Sequence, residues 1–334
     1  MPTIRINSTN YSGVTCNISF TGCTGNTDTI TGVTLPYDYT TSNYEGSYSV
    51  YFPVYDKTCP LDITCASPTP SVSVTPTPTP SAPSIDPDYQ AILNEATLQG
   101  YTLPSSSGQT LQNQLVLDLK SAGIWSELDL FYVMATDGDG NYSLLNWINP
   151  TSYSGITVVS PTFVSNQGWD RVCGDYIRTQ YTPDVHAVNS TLDDTSMFVW
   201  DLDNTSCSRD TYWGTLGSSS QNRFNSQVTP DTNYCVNGVC ATYTIDTTGI
   251  GFKMIQRTTG GTLNYLINSG TAAESISITP GSGSLGNVEL NMGRNGTGNG
   301  NRSNMMISIG GRGASLEGKE SDLYNALNTY ISSL

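Results

Sequence analysis

Between Asp193 and Trp213 the chain gathers side chains suited to holding a cation or a sugar. Asp193, Asp194, Asp201, Asp203 and Asn204 form its densest cluster of hard oxygen donors, a set that can coordinate calcium or accept hydrogen bonds from sugar hydroxyls. Trp169, Trp200, Tyr212 and Trp213 stand among turn-like sequences, where an aromatic face can stack on a pyranose ring; burial in a core is the competing fate of each. The glycan-binding candidates are therefore Trp169, Asp201, Asp203, Tyr212 and Trp213. Asp137, Asp139 and Asn141 imitate the first half of a calcium loop but lack its closing glutamate, so calcium there competes with a plain polar turn. No other cofactor is expected.

Other chemistries find little to build on. A serine triad needs a histidine base and a nucleophile elbow, but the chain has one histidine, His186, and no Gly-x-Ser-x-Gly. His186, close to Asp184, reads as an ordinary loop or surface residue. Gly281, Gly283 and Gly286 spell a dinucleotide fingerprint but lead into the strand-like Asn287-Val288-Glu289-Leu290, so no helix N-terminus is there to hold phosphate.

Charged residues make up 12% of the 334, the formal net charge is −15, and there are four lysines. Such a surface repels nucleic acid and anionic membranes. The sequence has no apolar run of eighteen residues, and its first residues lack the apolar stretch of a secretory signal, so synthesis in a cytoplasm without export is expected. Eight cysteines suggest an oxidising destination. Cys235-Val236-Asn237-Gly238-Val239-Cys240 is the best pair: Asn-Gly favours a two-residue hairpin that sets Cys235 opposite Cys240 for a disulfide, with reduced thiols the alternative. Paired spacing for zinc is missing.

The elements that must position these residues read as mainly β. Residues 1–66 alternate β-branched and aromatic runs with Gly, Asn and Ser clusters, predicting a small β-sandwich with strands near 3–7, 14–20, 29–35 and 47–54. Residues 67–87 are a Pro/Thr/Ser-rich stalk, extended at roughly 3 Å per residue because proline removes donors and disfavours helix. Residues 88–124 hold two helices, one capped by Asp86-Pro87 and ended by Gly100, the other starting in a Ser106/Gln109 capping box and ended by Gly123. From 125 to 334 short strands and turns predict a large antiparallel jelly-roll sandwich, closed by a helix over Glu320–Ser332. The Gly/Asn-rich stretch 293–304 reads as a loop.

Several of these stretches are familiar. Ala91–Asn94, Gly100–Ser105, Leu111–Leu115, Leu119–Trp125, Leu128–Gly138, Leu145–Trp147, Gly174–Pro183 and Leu323–Ile331 together resemble a module of bacteriophage virion proteins that ends in a concanavalin A-like lectin/glucanase (laminin G-like) jelly roll. The head, through Thr31–Tyr37 and Tyr51–Cys59, looks like short β modules of phage structural proteins. The resemblance implies a non-enzymatic virion surface protein, either a head or tail fibre or a capsid decoration, attached through its head to other virion proteins. It would assemble as a homo-oligomer and bind host-surface glycans. A decoration without ligand and a polysaccharide depolymerase are the alternatives. Glucanases of this fold carry Glu-x-Asp-x-x-Glu, whereas this chain has Glu127-Leu128-Asp129 followed by Tyr132, so the acid pair is incomplete.

A tether this poor in apolar residues cannot couple what it joins. Limited proteolysis is therefore expected to cut first within residues 67–86 and to leave two fragments that each melt cooperatively. Resistance of that segment would show that it packs against another surface.

Overall fold

The computed structural model describes residues 85–172, 174–204, 210–215, 222–226, 233–242, 244, 249–294 and 305–334, and, before them, six strands. The chain divides into two compact units, residues 1–81 and 82–334. Residues 64–84, Cys173, Cys207 and residues 295–304, most of the stretch that the sequence reads as a loop, lie outside the described residues.

In the first unit β1 (Thr3–Ile6), β2 (Thr15–Gly22), β3 (Thr27–Thr34), β4 (Tyr37–Thr40), β5 (Gly46–Phe52) and β6 (Lys57–Ile63) form antiparallel sheets in the orders β3-β2-β5-β6 and β1-β4. The sequence pattern missed β4 and β6. The latter carries Pro60, which a central strand would reject and an edge strand accepts.

In the second unit α1 (Pro87–Gln99) and α2 (Ser106–Ser121) precede β7 (Leu128–Val133), β8 (Ile156–Val158), β9 (Thr162–Val164), β10 (Gly168–Arg171) and β11 (Tyr176–Arg178). A short helix α3 (Pro183–His186) leads to β12 (Thr195–Asn204), β13 (Asp210–Thr215), β14 (Asn222–Ser226), β15 (Asn233–Val236) and β16 (Val239–Thr242). Then come β17 (Gly251–Thr258), β18 (Thr262–Ile267), β19 (Ala272–Ser277), β20 (Asn291–Met292), β21 (Met305–Gly313) and α4 (Glu320–Ile331). One sheet runs β19-β18-β17-β12-β21-β10-β9, with β7 alongside the C-terminal half of β21; the other runs β16-β15-β14-β13-β20-β11-β8. This is a jelly-roll-like sandwich with a helical layer on the outside of the first sheet.

Strand alternation explains the three layers. On β12, Met197 and Val199 pack with Tyr212, Trp213 and Phe224 of the second sheet, while Phe198 and Trp200 pack with the helices. The helices start where the sequence places their caps, with one shift. Asp86 accepts the Asp88 N–H, and Gly100 closes α1 at φ 74°. For α2 the cap is Ser105 rather than Ser106: Ser105 is the last extended residue, at ψ 163°, and its Oγ accepts the Gly108 N–H.

A buried amide fastens the helices to the sheet. Gln112 of α2 accepts the Tyr89 and Tyr142 hydroxyls at 2.9 and 2.6 Å and donates to Thr136 Oγ1, and Tyr330 of α4 donates to the Ala135 carbonyl. At the far end of the second sheet Asn237 and Gly238, at φ 53° and 80°, turn the β15–β16 hairpin; Cys235 and Cys240 pair across it and are joined by a disulfide, Cα to Cα 4.1 Å.

Two glycines at the middle of β21 let both cores close. A Cβ on Gly310 would stand 3.0 Å from the Trp213 ring, and one on Gly311 would overlap the Phe198 ring. Gly311→Ala is expected to cost about 1–3 kcal/mol of stability through overpacking, read as a lower denaturant midpoint with an unchanged slope.

Candidate functional site

The aromatic and acidic side chains that the sequence offers as a sugar site are drawn into the interior. Tyr212 and Trp213 are fully buried between the sheets, and Trp169 is buried, its Nε1 donating to Ser143 Oγ at 2.9 Å. Asp201 is fully buried as well: it pairs with Lys253 and accepts the Tyr212 hydroxyl at 2.7 Å. No pyranose reaches these four. Asp203 is exposed at the bulged end of β12. The acidic cluster is not a cluster in space, because Asp193 lies in the bend before β12 and Asp201 lies six residues beyond the strand's first residue, about 20 Å along it at about 3.3 Å per residue. Asp193 pairs with buried Arg257, and Asp194 accepts the Ser315 N–H at 2.6 Å.

The calcium-like turn holds helices instead. Asp139 accepts the Thr102 and Tyr142 N–H groups, Asp137 accepts that of Ser105, and Asn141 is exposed. Among the described residues no group of three His, Cys, Asp or Glu is placed to hold a metal. The carboxylates of the Glu-x-Asp strand are committed too. Glu127 pairs with Lys319 at 2.8 Å, and buried Asp129 accepts the N–H groups of Val188, Asn189 and Ser190 with the Ser190 and Tyr181 hydroxyls. Tyr132 is buried, and its hydroxyl donates to the Tyr153 carbonyl.

That last bond leads to the surface feature with the most unengaged chemistry. Tyr153, in the loop before β8, is half-buried, with its ring 4.9 Å from the His186 ring and 5.5 Å, edge-on, from Tyr181. Tyr153 and Gln180 both hold φ at 60°, a left-handed conformation that L side chains avoid at a cost of order 1–3 kcal/mol. Bonds around them enforce it. The Tyr132 hydroxyl holds the Tyr153 carbonyl, Gln180 Nε2 donates to the Ser154 carbonyl, and Glu289 accepts the Gln180 N–H at 2.9 Å while gripping Arg178 in a bidentate pair. His186 Nδ1 accepts the Thr182 N–H at 2.8 Å, which leaves its proton on Nε2.

Two ring faces and four groups without a partner among the described residues meet here: the Tyr153 hydroxyl, His186 Nε2, Gln180 Oε1 and Arg178 Nη1. Rings and mixed donors and acceptors on a strained, over-determined backbone are what a sugar-sized polar ligand needs. A shallow groove of about 340 Å³ between α2 and α4, lined by Asp118, Ser121, Asp322, Asn325 and Thr329, has no ring to stack on.

Sequence reasoning passed over Tyr153 although its setting, Thr-Ser-Tyr-Ser-Gly, is as turn-like as those of the tryptophans it favoured. If Glu289 is what holds the shelf, Glu289→Ala is expected to raise amide exchange at Gln180 and at residues 153–155, with little change in the global unfolding midpoint. Exchange unchanged at those amides would show that the strained turns stand without it.

No protein-family model matches the sequence, and no curated protein matches it. Among solved structures, domain 4 of AbnA, a GH43 extracellular arabinanase from Geobacillus stearothermophilus solved with arabinotriose, is similar at 13% identity and TM-score 0.39, over 59% of this chain and 98% of that one. The binding domain of botulinum neurotoxin serotype D is similar at 14% identity and TM-score 0.40, over 62% of this chain and 52% of that one. Another structure of the serotype D ligand binding domain, in complex with N-acetylneuraminic acid, is similar at 12% identity and TM-score 0.38, over 64% and 52%. This chain spans about half the length of each neurotoxin domain.

Proposed function

We propose that this protein is a non-enzymatic attachment protein of a virion surface, joined to other virion proteins through residues 1–66 and displaying the jelly roll to host or environmental glycans. The observation that carries this reading is the Tyr153–His186 shelf, where the Tyr153 hydroxyl, His186 Nε2, Gln180 Oε1 and Arg178 Nη1 have no partner among the described residues. The binding class is favoured over hydrolysis because Glu127, Asp129 and Tyr132 are tied into an ion pair, backbone capping and core, which leaves neither of these two carboxylates free to flank a bond. The virion setting rests on the sequence resemblance of residues 88–334, and it accounts for a low-charge, cysteine-bearing chain.

One exposed ring contributes on the order of 1 kcal/mol beyond burial, so a single shelf binds sugar in about the millimolar range. Repeated copies on one particle multiply weak contacts into avidity. A second reading, a decoration that binds protein and no sugar, draws on Val185 and Val188, which are 70% and 85% exposed on and just after α3.

A glycan array probed with the full chain separates the two. Binding is expected, with affinity falling about five- to tenfold in Tyr153→Ala, and reducing-sugar release is expected to stay at background. An array without any positive glycan, together with normal particle adsorption by Tyr153→Ala, would favour the decoration reading.

A further inference from the structure

Of the four lysines, Lys253 is fully buried, and its amine rests on a carboxylate that is fully buried too. Nζ lies 2.7 Å from Oδ1 and 2.9 Å from Oδ2 of Asp201, which sets it about 3 Å from Cγ, the separation at which an oriented nucleophile and electrophile react. The two residues stand diagonally on neighbouring strands, since Val199 of β12 faces Lys253 and Asp201 faces Gly251 of β17. A bond between their side chains would therefore fit the existing ladder.

The surroundings are those of a reaction site. The Gly251 N–H donates to Asp201 Oδ1 at 2.8 Å, and the Tyr212 hydroxyl donates to Oδ2 at 2.7 Å. Burial pushes the Asp201 carboxyl above its ordinary range and the Lys253 ammonium below its own, against the pull of their mutual attraction. Each is moved toward its neutral form, and a neutral amine against a protonated carboxyl is a pair of reactants. The Tyr212 ring, 5.1 Å from Nζ, walls the pair.

We propose that Asp201 and Lys253 condense to an amide, an intramolecular isopeptide bond that ties β12 to β17. The Nζ lone pair adds to Cγ of the protonated carboxyl, and the carbonyl π pair moves to Oδ1, where the Gly251 N–H meets the developing charge. One nitrogen proton passes through the Tyr212 hydroxyl to the Oδ2 hydroxyl, the Cγ–Oδ2 bond breaks, water leaves, and the pair on Oδ1 restores the carbonyl. One C–N bond forms and one C–O bond breaks. Nothing is oxidised or reduced, and no co-reactant is needed.

Intact mass spectrometry of the full-length protein, denatured and with its disulfides reduced, tests this. The mass is expected to fall below the sequence mass by one water, with the deficit mapping to a branched peptide that joins residues 201 and 253. Lys253→Met is expected to regain full mass. Asp201→Asn is expected to lose ammonia in place of water, an arm that stays informative if the lysine variant fails to fold. A wild-type chain of full mass whose Lys253 accepts an amine reagent once unfolded overturns the proposal. So does a deficit that maps to a succinimide at Asp137 or Asp139.

Discussion

The central strands of the first sheet are buried on both faces, and the rest of the molecule follows from that. Every residue of β7, β17 and β21 is withdrawn from solvent, although successive side chains on a strand point opposite ways. Such a sheet is stable only with a layer on each side. The second sheet supplies one cover. The other is built from helices at both ends of the unit, and α1, α2 and α4 lie against the same set of rings, Phe131, Phe198 and Phe252 among them.

The same burial fixes what happens to polar side chains on those strands. Asp201, Lys253, Arg257 and Arg312 all lie within the sandwich with no exposed surface. A lone charge there would cost several kcal/mol, and the Asp201–Lys253 and Asp193–Arg257 pairs avoid it. Two carboxylates of the stretch that looked like a ligand cluster, Asp193 and Asp201, are therefore spent on Arg257 and Lys253 of β17.

How much could be read from residues alone depended on whether the signal was local. Helix caps are local, so α1, α2 and α4 were legible to within a residue, and so was the Asn237-Gly238 hairpin. The fate of Tyr212 and Trp213 was not. Alternation would turn one of two adjacent aromatics outward, but the ladder slips between Thr211 and Trp213, and both rings pack in the same core. A second slip, beside Asp201, ends the period on β12. Nor does any composition rule announce that Tyr153 and Gln180 turn left-handed, because that choice is made by Tyr132 and Glu289, 21 and 109 residues away from them.

The point at which the chain enters this unit has a mechanical meaning. The Asp86 backbone N–H donates to Asn113 Oδ1 at 2.7 Å, and its carboxylate is gripped by Lys120, both on α2. Tension arriving from the N-terminal side is thus borne first by two bonds between helices, ahead of any strand ladder. Were they to yield, α1 would be pulled first, and with it Tyr89, Ile92, Leu93 and Ala96 would leave the outer cover of the first sheet.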